Sequence, residues 1–371
     1  MSASFVARRC WAEVDRAALR HNVAAARAQL APGVKIMAVI KANAYGHGLG
    51  GVAEALARHA EIFGVANVNE AEEVRAHVPN APVFILGPAL PDEREHIASA
   101  RFVPSISTLE EAHAFAALAG PELLPVHLIV DTGMGRIGIL EKDSLDVVRE
   151  ILAVRGLAVT GLASHLPVAD EDDTFTREQL ARFHEIVGQL RALGLTHPVV
   201  HIGNSACVIA HPAQAGDMVR TGLMMYGSSP LPEFQPKLRA ALTWKTRITL
   251  VRDLPPGHGV SYGRTFITKA PTRVATLGVG YADGYQRHLS NRGAEVLIGG
   301  RRCPVLGRVT MDQILADVTA VPEVKAGDEA VLIGRQGGEE IFAADLAKKA
   351  GTIPWEIFTG LGRRVERVYV G

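Results

Sequence analysis

Over its first 240 or so residues the chain alternates short apolar runs with longer, alanine-rich amphipathic stretches. Such alternation confines it to folds in which parallel strands are joined by crossover helices. The first run, residues 34–40, is partly β-branched, bounded by Pro32 and Gly33 before it and by a glycine-containing loop after it. Further strands are predicted over 62–66, 83–86, 102–106, 126–130, 157–163, 199–202 and 218–225. Helices are predicted over 16–30, 107–119 (Ser107 as N-cap, Glu110 three residues on), 143–154 and 172–193. About eight strand–helix units in about 200–250 residues is the arithmetic of a (β/α)8 barrel. An open doubly wound sheet is the alternative, weakened because no dinucleotide-binding glycine fingerprint follows the first strand.

Beyond residue 240 the pattern changes. Short alternating runs at 243–251, 272–279, 295–298, 302–308, 314–318, 329–333 and 365–370, separated by Gly, Pro or Asp, predict strands, with one helix at 343–350. Pro230, Pro232 and Pro236 mark a linker. The expected fold class is therefore α/β followed by β: an N-terminal (β/α)8 TIM barrel over 1–240 and a C-terminal mostly-β domain over 241–371. The first ~13 residues are candidates to pair with the C-terminal domain.

At 371 residues with 48% apolar and 21% charged, the chain can bury a large core. Its 39 basic and 39 acidic residues cancel, which argues against a nucleic-acid or anionic-membrane surface. Cys10, Cys207 and Cys303 have no metal-type spacing, and so sparse a set suits a reducing compartment. The first eleven residues lack the apolar stretch of a signal peptide, and no run has the length of a membrane span. A cytoplasmic protein without a metal site is the expectation.

In a barrel of this kind the active site lies at the C-terminal ends of the strands. Lys41 and Tyr45 follow the first strand, Asp131 to Arg136 the fifth, His165 the sixth, and Asn204 and Ser205 the seventh; Arg220, Gly222 and Leu223 belong to the eighth. A strand-end lysine reaching into a pocket can attack a carbonyl, since desolvation keeps its amine neutral. Alone, such a residue is more often a solvated cap. Asn204-Ser205 at a helix start, and Gly222 where backbone can approach closely, favour a phosphate. Each is an ordinary cap or turn taken singly. Together with Lys41 they point to a phosphate-bearing aldehyde held as a Schiff base, that is, pyridoxal 5′-phosphate (PLP).

The chain resembles the PLP-dependent alanine racemase family (fold type III) over nearly its full length. The motifs that carry the likeness are Ala38-Val39-Ile40-Lys41-Ala42-Asn43-Ala44-Tyr45-Gly46-His47-Gly48, residues 131–138, Val200-His201-Ile202-Gly203-Asn204-Ser205 and Met218-Val219-Arg220-Thr221-Gly222. In the second half they are Val260-Ser261-Tyr262-Gly263, Gly278-Val279-Gly280-Tyr281-Ala282-Asp283-Gly284 and Gly307-Arg308-Val309-Thr310-Met311-Asp312-Gln313.

The resemblance implies racemisation of L- and D-alanine by two bases, Lys41 and Tyr262, on opposite faces of the cofactor, supplying D-alanine for cell-wall peptidoglycan. It implies a homodimer with shared sites, in which Tyr262 and Met311 come from the partner. A phenol titrates near 10, so the likeness also assigns neighbours to Tyr262 that stabilise its anion, with His165, Arg136 and Arg220 as candidates. Arg220 would face the pyridine nitrogen, which stays unprotonated because a guanidinium keeps its protons. Arg136 would sit near the cofactor's phenolic oxygen, and the Met311 backbone would hold the substrate carboxylate on a loop supported by Asp312. Tyr45, Asn204, Ser205, Gly222 and Leu223 would surround the phosphate, and Tyr281 the entrance. His47 and His201 carry no assigned role.

Two departures stand out. The family often has a lysine two residues before Asp131, where this chain has Ile129, which cannot be carbamylated to orient Arg136. Where the family commonly reads Ile-Asn-Tyr-Glu, this chain reads Ile353-Pro354-Trp355-Glu356, so Trp355 offers bulk and an N–H but no acceptor. Broader-specificity or serine racemisation is therefore the alternative within the family. A PLP decarboxylase is disfavoured by Arg220, and a non-catalytic PLP-binding barrel by the motifs of the second half.

Overall fold

The structure is a computed structural model that describes residues 8–371. The absence of a leader, and pairing by residues 1–7, are expectations that lie outside the described residues. Contacts divide the chain into two compact units. One holds Leu19–Ala44 and Leu49–Arg239; the other holds Ala240–Gly371, the described residues up to Ala18, and Tyr45–Gly48.

The first unit is the expected barrel. Its strands are Lys35–Val39, Ile62–Val65, Val83–Ile85, Val103–Ile106, Leu124–Asp131, Leu157–Ala163, Val199–His201 and Met218–Thr221, here called first to eighth. All neighbours pair in parallel, in the order eighth, first, second and so on to seventh. The ring is nearly closed. Between seventh and eighth strands the ladder gives way to loop bonds: the Asp217 N–H donates to Val200 O (2.7 Å), and the Val200 N–H to the Asp217 carboxylate (3.0 Å). Strands covered on both faces read as continuous apolar runs, and Ile36, Met37, Ala38, Val65, Val126, Leu128 and Val130 are fully buried.

Local chemistry adjusts the expected boundaries. The helix predicted from Ser107 is capped one residue later. Extended Thr108 accepts from the Glu111 N–H (3.1 Å), and the Glu111 carboxylate accepts in return from the Thr108 and Ser107 N–H groups, a capping box on Leu109–Ala117. The strand predicted to run to 225 stops at Thr221, because the Gly222 N–H turns to donate to Ser205 Oγ (3.1 Å) and a 3-10 turn, Leu223–Tyr226, follows.

The second unit is a mostly-β domain around a nine-stranded sheet. Leu242–Leu254 is its spine, alternating buried and exposed side chains. It pairs antiparallel with Cys10–Asp15, Thr272–Leu277 and Glu329–Gln336, shifting register near Trp244 and near Ile248 to serve all three. Cys10–Asp15 also runs parallel to Glu366–Val370, so the first described strand is an interior strand of this sheet. Trp244 and Tyr285, both fully buried with ring centroids 6.0 Å apart, anchor the core. The sequence pattern missed a two-strand ribbon, Gly259–Val260 with Phe266–Ile267, and the helix Pro354–Thr359, whose first-turn proline lacks only an N–H the helix would not use. Among the described residues no helix is long and apolar enough to cross a membrane.

Candidate active site

Lys41 ends the apolar first strand and opens a backbone that the sequence reads only as a loop of small residues. Ala42, Asn43, Ala44 and Tyr45 all have φ between 51 and 54°, one turn of left-handed helix built without glycine. Each such residue costs about 1–2 kcal/mol, so the turn persists only because its surroundings dictate it. The Ala42 N–H donates to Glu70 Oε1 (2.7 Å), the Leu49 N–H to Asn43 Oδ1 (2.8 Å) and the Ala44 N–H to Ile40 O (2.8 Å). Glu70, in the first turn of Val68–His77, also accepts from the Ala66 N–H (2.8 Å) and so ties the loops after the first and second strands together. Its spacing after the N-cap Asn67 reads in sequence as an ordinary cap. Its reach to Ala42 is tertiary.

Lys41 itself is half-buried. Burial, reinforced by the positive charges of Arg136 and Arg220 and opposed by Glu70, holds its amine below the usual lysine range. That is the state a nucleophilic or basic lysine needs.

Arg220 lies in the eighth strand, 7% exposed. Its Nη1 donates to His201 Nδ1 (3.0 Å) and His201 O (2.6 Å); its Nη2 donates to Ser164 O (2.7 Å), His165 Nδ1 (3.1 Å) and Ile202 O (3.1 Å). These acceptors are all neutral, and none of them is on Nε. Burial lowers the guanidinium to about 10, which leaves it a cation at neutral pH. The same burial and the Arg220 charge hold His165 down to about 3, with Arg136 and Lys41 acting in the same direction.

Ser205 is 7% exposed and opens the helix Ser205–Ala210. Asn204 caps that helix through the Cys207 N–H (3.0 Å), and its amide also donates to Leu166 O (3.3 Å). Gly222 and Leu223 are buried beside Ser205, whose Oγ accepts the Gly222 N–H. The loop after the fifth strand is organised by Asp131, whose carboxylate collects the N–H groups of Gly133, Met134 and Gly135 at 2.9–3.1 Å. Arg136 at its end is exposed, and Ile129 is buried. Thr132, Ser164 and Gln179 back these loops: Thr132 Oγ1 and Ser164 Oγ are 2.7 Å apart, and Gln179 Nε2 donates to Thr132 Oγ1 (2.8 Å) and His165 O (2.9 Å).

The remaining candidates belong to the other unit. Tyr45 is buried, its phenol pushed up to about 12, and the next residues are held in place locally. Arg367 Nε donates to Gly46 O (2.8 Å), and a Cβ on Gly46 would lie 2.0 Å from Phe358 O. Tyr262 is 71% exposed on a turn whose preceding residue, Ser261, has φ 62° and is anchored by its hydroxyl on Arg308 O (2.6 Å). Met311 is also exposed, on a loop bonded to the next candidate. The Tyr281 N–H donates to Thr310 O and the Ala282 N–H to Met311 O, both 3.0 Å, and a Cβ on Gly280 would lie 2.3 Å from Met311 O. Arg364 clips this arrangement, donating to Asp312 (2.8 Å) and Asp283 (3.0 Å). Tyr281 is exposed, and Trp355 is half-buried in Pro354–Thr359.

Sequence reasoning missed Glu70, Gln179 and His127, and set His201 aside as a strand residue without a role. A usable signal existed for the histidines, since each interrupts an apolar strand, Val126-His127-Leu128 and Val200-His201-Ile202. Buried at 5% and 0%, they are 2.9 Å apart between His127 Nδ1 and His201 Nε2. Burial first, then Arg220, lowers His127 to about 4, and His201 lies well below its ordinary value. The unfolded chain takes up these protons near pH 6.5, whereas folded His127 takes one only near 4. Stability is thus full above pH 6.5 and is lost as pH falls from there toward 4. His127 alone should cost about 2 kcal/mol at pH 5 relative to pH 7. Denaturant unfolding at a series of pH values checks this; equal stability at pH 7 and 5 would contradict a buried neutral imidazole.

The comparisons with known proteins agree with this architecture. The family profile of the alanine racemase N-terminal domain matches residues 14–230, and that of the alanine racemase C-terminal domain matches 241–369. An alanine racemase of Symbiobacterium thermophilum is 45% identical over 368 residues, covering 97% of each chain. The crystal structure of alanine racemase from Bacillus anthracis with bound L-Ala-P superposes with a TM-score of 0.91 at 34% identity, covering 100% of this chain and 96% of that one. Alanine racemase from Bartonella henselae, with covalently bound pyridoxal phosphate, gives 0.89 at 28% identity, covering 98% and 100%. Matched through both of its units and over nearly its whole length, the chain belongs to the alanine racemase family of isomerases.

Proposed function

We propose that the protein interconverts L- and D-alanine by proton transfer at the α-carbon, using pyridoxal 5′-phosphate. The observation that carries this reading is a lysine amine held below its usual range, in a site whose buried arginine is held, among the described residues, by neutral acceptors. The residues present suit that cofactor. Lys41 suits its aldehyde, and Ser205 Oγ with the Gly222–Leu223 backbone and Tyr45 suits its phosphate. When bound, the cofactor supplies an aldehyde that condenses with amines and a ring that draws electron density from the α-carbon.

Lys41 holds or releases the α-proton on one face, and Tyr262 does so on the other. Arg220 donates toward the pyridine nitrogen without giving up a proton. With Arg220 rather than a carboxylate as its partner, that nitrogen would stay unprotonated and the ring would be a weaker electron sink, which would favour reprotonation at the α-carbon over transamination. Arg136 faces the phenolic oxygen, and the Met311 N–H holds the substrate carboxylate on a loop that Arg364 steadies through Asp312. Asn204 shapes the phosphate loop, Trp355 bounds it in place of the family's usual tyrosine, and Tyr281 narrows the entrance.

Tyr262 and Met311 are exposed on their own chain, which suits a homodimer in which each subunit completes its partner's site. The protein would act in the cytoplasm, its product a precursor of cell-wall peptidoglycan. The test is to incubate the purified protein with L-alanine in deuterated water. D-alanine carrying deuterium at the α-carbon is the expected product; unlabelled L-alanine alone would refute the reading. A broader substrate range is the second reading, favoured by the Trp355 and Ile129 departures, and a panel of L-amino acids assayed for D-products decides it.

A further inference from the structure

We propose that His201 and His127 form a directional hydrogen-bond chain behind Arg220 that fixes the plane of its guanidinium, making both of them positioning residues. The inference rests on the reading of Arg220 as the donor to the cofactor ring.

The direction follows from elementary valence. A guanidinium carries donors and no acceptor. His201 Nδ1, 3.0 Å from Arg220 Nη1, must therefore accept, and a neutral His201 carries its proton on Nε2. That N–H points at His127 Nδ1 at 2.9 Å, so His127 must accept there and carry its own proton on Nε2. A second proton on either ring would set two donors head to head. The order Arg220, His201, His127 is thus imposed from the arginine outward.

The barrel is built around this chain. A Cβ on Gly161, in the sixth strand, would lie 2.4–2.5 Å from the His127 ring, so only glycine leaves that ring its place. Phe84, in the third strand, packs against both imidazoles, with centroids 4.8 Å from His127 and 5.6 Å from His201. Both rings are nearly inaccessible to solvent, so neither can exchange its partner for water. His201 also presents its backbone carbonyl to Arg220 Nη1 at 2.6 Å, giving one residue two holds on the same nitrogen. With both terminal nitrogens held in this way, Nε is the guanidinium donor left for the cofactor.

The test uses the holoenzyme with ring-15N histidine. Long-range 1H–15N correlation at neutral pH should find His127 and His201 neutral and protonated on Nε2. His127→Phe keeps ring bulk but removes the acceptor. His201 should keep its Nε2–H, which Arg220 imposes, but with no acceptor for it, PLP binding, read by absorbance titration, should weaken by about tenfold, as expected for an unpaired buried donor. His127→Asn returns an oxygen acceptor near the Nδ1 position and should restore the affinity to within about twofold. Finding either ring in the wild type protonated on Nδ1 would overturn the proposal. So would a His127→Phe variant with unchanged PLP affinity. The wild-type spectrum decides the question even if the variants fail to fold. A protein that bound no PLP but kept both Nε2–H tautomers would refute the proposed function and leave the chain of hydrogen bonds standing.

Discussion

Lys41→Ala is expected to lower racemisation by at least about 10⁴-fold, because in the proposed mechanism it removes a covalent anchor and a general base together. Fold should survive, since Lys41 is half-buried and the bonds that hold the following turn come from Ala42, Asn43 and Ala44 through backbone and Glu70. The variant should also lose the visible absorbance of a lysine-linked cofactor. Steady-state rates in both directions and an absorption spectrum measure this. More than about one hundredth of the wild-type rate, or an unchanged spectrum, would remove Lys41 from both roles.

The second large effect is expected at Tyr262. Tyr262→Phe removes only a hydroxyl and should lower racemisation by about 10²–10⁴-fold, the range for loss of a general acid–base group. Since the two enantiomers have equal free energy, racemisation slows equally in both directions, and the asymmetry must be sought in exchange. One enantiomer, its α-proton facing Lys41, should still exchange with deuterated solvent, while the other slows by the full factor. Equal slowing of both would contradict a two-base division. The same variant tests the shared site. On its own chain Tyr262 is 71% exposed. Mixing Lys41→Ala subunits with Tyr262→Phe subunits should restore activity to about one quarter of wild type, because half the dimers are mixed and each has one intact site. A mixture as inactive as its components would place both residues in one chain's site.

Much of this architecture was legible before any coordinates. The apolar run ending at Ile40, and its seven counterparts, placed Lys41, Arg136, His165, Ser205 and Arg220 at strand ends on one side of a barrel, because parallel strands leave their loops at a common face. The motifs of the second half named Tyr262, Met311 and Asp312. Boundaries were less legible. Nothing in the order Ser107-Thr108 says which residue is extended and which caps, and the eighth strand's end depends on Ser205, seventeen residues earlier in the chain.

What the sequence determined by itself was therefore the succession of elements and the candidate residues of the site, since periodicity and residue type are local properties. What only the tertiary structure decided was protonation and pose. The left-handed turn after Lys41 has no glycine to announce it and exists because Glu70 and Leu49 hold it from elsewhere. Arg220 became a locked cation only when two histidine rings and three carbonyls met it. A strained backbone or a neutral imidazole is set by desolvation and by partners distant along the chain, and a linear pattern carries neither.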